Sequence, residues 1–215
     1  MRTPTRALFL LAIVPALLWG IAASLGTSAR AVGPLAFGTA AALPSSDGGT
    51  EPRYTVTPDD KHYAISNSGG TARVWESDDG LTGWQLTAGT PANQTSLSTI
   101  DVDIVSMPTA SAHPGRLIAA ELDEAGLNFR ISFSDDGGAT WTSSDVSAIG
   151  QLVPVPGGEL GDQDREWLAP GPGDRVYLLF HNLASGTLNH NMFVATSTDD
   201  ATSWGAPIPT TNPST

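Results

Sequence analysis

The octet SDDGGATW, Ser134 to Trp141, occurs three times with small changes: SDDGLTGW runs from Ser77 to Trp84 and STDDATSW from Ser197 to Trp204. The copies stand roughly 60 residues apart, a spacing found where one small supersecondary unit recurs along a chain. Each octet opens on a serine with an aspartate two places on, and such side chains bond nearby backbone N–H groups across a tight turn. Gly80, Gly137 and Gly138 would supply the positive φ that the turn requires. Trp84, Trp141 and Trp204 close the octets, where a large flat ring can wedge against a neighbouring sheet.

Working outward, the flanks alternate as strands. ARVWE (Ala72 to Glu76), FRISF (Phe129 to Phe133) and MFVAT (Met192 to Thr196) stand directly before the octets. Before those come HYAIS, LIAAEL and VYLLF, announced by the turn pairs Asp60-Lys61, Gly115-Arg116 and Asp174-Arg175. Furthest upstream are RYTV from Arg53, DVDIV from Asp101 and REWLA from Arg165. With one strand after each octet the unit has four, the composition of a propeller blade. The pattern predicts an all-β chain with almost no helix and blades at about 52–99, 100–160 and 161–215.

The octet resembles the Asp box, or BNR repeat, S-x-D-x-G-x-T-W, of sialidases and related propellers. The middle copy matches every defined position. The first departs at Leu81 and Gly83 and the third at Asp200, Ala201 and Ser203, so less tightly closed turns are expected there. The resemblance extends over 52–215 and implies a sialidase-like β-propeller. It makes Ser77, Asp79, Trp84, Ser134, Asp136, Gly138, Trp141, Ser197, Asp199 and Trp204 structural residues of the rim, away from the ligand site. Such propellers usually have six blades. Three therefore imply an N-terminal half, closed either by a missing C-terminal half or by self-association, since bare blade faces are apolar.

Composition narrows the function. Ten Lys and Arg against 22 Asp and Glu give a formal net charge of -12, with Lys61 the one lysine. A surface that acidic repels phosphate backbones, so nucleic acid is not expected as a partner. The absence of cysteine excludes disulfides, thiolate metal sites and cysteine nucleophiles. Arg2 and Arg6 precede an uncharged run from Ala7 to Ala29, and Ala29-Arg30-Ala31 offers a cleavage site; 1–31 reads as a signal peptide, or as an anchor if uncleaved. Either way the body lies outside the cytoplasm and meets the membrane only through an uncleaved leader. Residues 32–51, rich in Gly, Ala, Pro and Ser, read as a linker.

Propeller ligands bind at the central channel, where the inner strands begin. Those starts carry Arg53, Asp101, Asp103, Asp162, Asp164, Arg165 and Glu166. Two readings stand side by side: cross-blade ion pairs near the axis, or a polar pocket for a polyhydroxy ligand with Trp167 or Trp75 as an apolar platform, although a tryptophan alternating in a strand is more often core than platform. Asp101-Val102-Asp103 and Asp162-Gln163-Asp164 recur at equivalent places, leaving calcium at a blade junction as an alternative to no cofactor. His62, His113, His181 and His190 show no paired ligand spacing. The sialidase resemblance implies an Arg-Ile-Pro element on the first inner strand, an arginine triad, an Asp acid/base and a Tyr–Glu nucleophile pair. This chain has Arg53-Tyr54-Thr55 there, without the Ile-Pro, and no catalytic set is assignable. The resulting expectation is a non-catalytic module binding extracellular glycan or protein, the alternative being the N-terminal half of a sialidase-type exo-glycosidase.

Overall fold

The computed structural model describes residues 40, 42–46, 48–91, 99–123, 129–150, 163–182 and 191–210. The segment read as a leader lies outside the described residues. Three antiparallel sheets of four strands follow one another, each a meander in chain order. Blade 1 holds β1 (Thr50–Val56), β2 (His62–Asn67), β3 (Ala72–Ser77) and β4 (Gln85–Leu86). Blade 2 holds β5 (Thr99–Ser106), β6 (Leu117–Asp123), β7 (Phe129–Ser134) and β8 (Thr142–Ser143). Blade 3 holds β9 (Gln163–Pro170), β10 (Val176–Asn182), β11 (Asn191–Ser197) and β12 (Ile208–Pro209). The one described helix, α1, spans only Ser147–Gly150. β1 starts at Thr50, paired with Asn67, so the fold reaches two residues into the segment read as linker.

Period-2 alternation sets how the blades stack. Along β6, Leu117 and Ala119 join a core with Tyr63, Ile65, Val74 and Ile104, between blades 1 and 2. Ile118, Ala120 and Leu122, from the other face, join Leu178, Phe180 and Phe193 between blades 2 and 3. Blade 2 is therefore apolar on both faces. Phe180 stands edge-on to Phe129 at 5.0 Å and stacked on Phe193 at 5.7 Å. Each such ring contributes about 1.5–3 kcal/mol through area removed from water.

The octets occupy the link from third to fourth strand in every blade. In the middle copy Asp136 Oδ1 accepts from the Thr140 amide at 2.8 Å and Oδ2 from the Thr140 hydroxyl at 2.6 Å. The Ser134 hydroxyl donates to Asp136 and accepts from the Gly138 amide at 2.8 Å. These bonds hold the Asp136 carboxyl below its ordinary range, the Thr140 hydroxyl contributing most.

Looser closure of the other two copies was expected and is not seen. In the third, Asp199 accepts from the Ser203 amide and hydroxyl at 2.9 and 2.6 Å, matching the middle copy. Asp200 and Ala201 adopt φ of 54° and 65° where glycines stand in the middle copy, so a closed turn is reached at a backbone cost. The first copy closes one residue shorter: Asp79 accepts from the Thr82 amide and hydroxyl at 2.7 and 2.8 Å, and its two positive-φ residues are Gly80 and Gly83 rather than an adjacent pair. Moving the threonine one place forward shortens the ring of bonds without opening it.

In blades 2 and 3 the closed turn is also a docking element. The Gly138 carbonyl accepts from the Gly89 amide of blade 1 at 2.9 Å, and the Thr202 carbonyl accepts from the Asp145 amide of blade 2 at 3.0 Å. Trp141 packs against the core between blades 1 and 2, and Trp204 lies inside the core between blades 2 and 3. Trp84 instead lies edge-on to Tyr54 of its own blade, 6.3 Å away. Arg116, 5% exposed, bonds both oxygens of Asp135 at 2.7 and 2.8 Å and donates to the Asp200 carbonyl at 3.0 Å. Its guanidinium lies 4.2 Å from the centre of the Phe133 ring.

Two substitutions test this account. Asp136→Ala leaves the turn donors without their acceptor and should lower unfolding free energy by about 1–2 kcal/mol in a urea titration; an unchanged midpoint would refute the closing role. At Gly89 an added Cβ would stand 2.6 Å from the Ala139 carbonyl oxygen and 2.8 Å from that of Gly138, both backbone atoms. Gly89→Ala should therefore destabilise by about 1–3 kcal/mol, whereas Gly69→Ala, with open space around it but a φ of 66°, loses stability through backbone strain alone.

Candidate functional site

The inner strands lie in a row, β1 beside β5 and β5 beside β9, and each departs from regular pairing near its start. The register shifts between Thr50 and Arg53, between Thr99 and Asp101, and at Arg165, opposite the Phe180–His181 step. Glu51 and Arg165 sit in the left-handed region at φ 53° and 56°, which costs a non-glycine residue about 1–3 kcal/mol. A bulge breaks the alternation of side chains and re-aims its neighbours. Here the re-aimed residues converge from three blades on one narrow crevice, closed even to a water-sized molecule and lined by Glu51, Arg53, Asp101, Arg165, Glu166 and Trp167 with Val102.

Arg165 organises the charges. Its Nη1 lies 3.3 Å from Glu51 Oε1 and 3.5 Å from Asp101 Oδ2, and its Nε lies 3.9 Å from Asp164 Oδ2. One arginine thus joins acids of blades 1, 2 and 3, the cross-blade pairing that the sequence offered as one reading. Arg53 Nε stands 3.8 Å from Asp103 Oδ1. Asp103 is set back from the cleft: its oxygens accept the Ile104 and Leu168 amides at 2.8 and 2.7 Å, tying β5 to β9, and burial raises its pKa. Asp101 is also raised, by burial, against the pull of Arg165. Asp162 lies outside the described residues.

Glu166 differs from all of these. Only 2% exposed, it has no hydrogen-bond partner for either carboxyl oxygen among the described residues. Burial, then the nearby charge of Asp101, push its pKa up to about 9. At neutral pH it is a protonated acid in the cleft wall, able to donate as well as accept.

Of the two tryptophans offered as a platform, Trp75 takes the core role instead. Trp75 is fully buried and its Nε1 donates to the Pro44 carbonyl at 2.7 Å, so it belongs to the core of blade 1. Trp167, half-buried, does line the cleft. Glu51 escaped the sequence reading because it was assigned to the linker; the available signal was an acid directly before Pro52 at a strand start. Among the described residues no group of three His, Asp or Glu side chains is placed to hold a metal ion. Asp101 and Asp103 turn to different partners.

No protein-family model matches the chain, and no curated protein sequence does. Similarity is found among solved structures. The α-L-arabinofuranosidase of Fusarium graminearum in complex with an iminosugar inhibitor superposes with a TM-score of 0.58 at 14% identity, over 79% of this chain and 51% of that one. The Penicillium chrysogenum α-L-arabinanase complexed with arabinobiose gives 0.56 at 14%, over 80% and 53%. A Hadza microbial sialidase gives 0.49 at 14%, over 74% and 33%, too low to establish a shared fold. The chain spans about half the length of the first two structures. What it shares with these glycoside hydrolases is the fold, three successive four-stranded blades of a β-propeller.

Proposed function

We propose that the chain is the ligand-recognising part of an extracytoplasmic Asp-box propeller of glycoside-hydrolase type, and that the axial cleft takes a glycan. Glu166 carries this reading. Its oxygens are buried behind the charged cluster, so a ligand reaches them only when Arg165 releases its acids; the unpaired neutral carboxyl then offers a sugar hydroxyl both a donor and an acceptor, while Arg53 and Arg165 supply further donors and Trp167 an apolar face. The same group favours the second reading, a portion of an exo-glycosidase. A carboxyl held protonated at neutral pH is the form that donates a proton to a leaving glycosidic oxygen. A second, ionised carboxylate would have to face it, and Glu51 and Asp101, engaged by Arg165, are the acids within the cleft. A sialoside fits less well, since its carboxylate is gripped by several free arginines and both arginines here are tied to acids.

Export is supported by the cationic start and uncharged run of the leader. No helix among the described residues is long and apolar enough to cross a membrane. The net charge of -12 disfavours nucleic acid.

Calorimetric titration with arabinobiose should give saturable binding that Glu166→Ala abolishes. The chain by itself should release no product from an aryl arabinofuranoside or a fluorogenic sialoside above a blank, because half a channel cannot position both ends of a proton-transfer reaction. Turnover lost in Glu166→Gln would move the exo-glycosidase reading to first place, and no binding at all would overturn the glycan assignment.

The neutral state of Glu166 has its own consequence. Its ordinary pKa is 4.5 and its folded value about 9, so the unfolded chain ionises first as pH rises. The contribution of this group to stability is fully present below pH 4.5 and is lost progressively toward pH 9. Glu166→Gln should flatten that decline, melting about 5 °C or more above the parent at pH 8 and close to it at pH 4. An identical pH slope in both proteins would remove the neutral-acid assignment.

A further inference from the structure

At the opposite end of the strands from the cleft, a groove of about 460 Å³ opens between blades 1 and 2. β1 runs from one site to the other, so roughly 20 Å separate them. The groove lies between the β1–β2 turn, the β5–β6 turn and the octet of blade 2, with Pro58 and Pro114 among its walls. At its edge a Cβ added to Gly115 would meet Pro58 Cδ at 3.9 Å.

Four charged residues line it, and three are already engaged. Lys61 Nζ stands 3.6 Å from Glu76 and 3.8 Å from Asp78. Asp135 is bonded by Arg116, and Asp136 closes its own octet. Asp59 has no ion pair or hydrogen bond among the described residues. The second free group is Tyr63. It is 2% exposed, lines the groove, and its hydroxyl has no hydrogen-bond partner among the described residues. Gly137 leaves it room: a Cβ there, at φ 69°, would stand 2.9 Å from that oxygen. With no partner in the chain, the hydroxyl opens to the groove, where water or a ligand atom can bond it.

The free groups in the groove are thus a carboxylate and a hydroxyl, both able to accept, between apolar proline walls. A divalent metal would need more free oxygens than these, and no three-residue metal cluster occurs among the described residues. An ammonium on a flexible carbon chain matches: its N–H groups reach Asp59 and the Tyr63 oxygen while its methylenes lie along Pro58 and Pro114. We propose that this groove binds an alkylammonium group, the cation shared by free polyamines and lysine side chains. The site is independent of the glycan cleft, and either can fail without the other.

The test follows backbone amide shifts of the purified chain by NMR during titration with spermidine and, separately, with N-acetyl-lysine methylamide. Both should saturate, with the largest shifts at Gly115 and Gly137. Tyr63→Phe and Asp59→Asn should each weaken binding about fivefold or more, as loss of one acceptor predicts, and Asp60→Asn, outside the groove, should change it less than twofold. A stronger response to spermidine identifies a free polyamine as the fitting source; a stronger response to the lysine amide identifies a protein side chain. No saturable shift, or equal weakening in Asp60→Asn as from a diffuse negative field, would overturn the proposal.

Discussion

Everything in this fold depends on one aspartate per blade turning its carboxylate inward to close an eight-residue turn. The bonds to Asp79, Asp136 and Asp199 are local, but what they position is not. A closed turn presents carbonyls at its crest, and in blades 2 and 3 those carbonyls dock on the segment that follows the last strand of the blade before. The tryptophan that ends each of these two octets then packs into the apolar seam beside that docking point. Turn closure, blade spacing and core packing are in this way one device, repeated with the blade.

The tolerance of the device is instructive. The third octet reaches the same closed geometry with Asp200 and Ala201 at positive φ, and Asp200 is further held by Ser111 at 3.0 Å and His113 at 2.8 Å across the blade boundary. Interactions from the neighbouring blade thus offset local backbone strain. At the axial end the balance is reversed. Bulges aim charged residues at a narrow space, Arg165 gathers Glu51 and Asp101, and Glu166, left without a partner, gives up its charge to burial.

Much of this was legible in the residues. Three octets in register, strands of β-branched and aromatic residues, and turn pairs between them specify four-stranded blades because period-2 alternation and turn chemistry are local properties. That Arg53, Asp101, Arg165 and Glu166 stand at inner-strand starts was legible for the same reason: a strand's first residues are identifiable once the strand is. Glu51 was not, since a bulge at positive φ extends β1 into a stretch whose composition is that of a linker. Nor was it legible which of Trp75 and Trp167 takes the core place usual for a strand tryptophan, since that depends on Pro44 folding back over the blade.

By itself the sequence determined the repeat, the strand order, the turn-closing role of the serines and aspartates, and an acidic, cysteine-free surface, all of which follow from spacing and side-chain chemistry within a few residues. Only the tertiary structure decided which acid is neutral, which arginine gathers the others and which phenol opens into the groove between two blades. Those properties are set by desolvation and by charges brought together from distant parts of the chain, and distance along a sequence carries no information about distance through space.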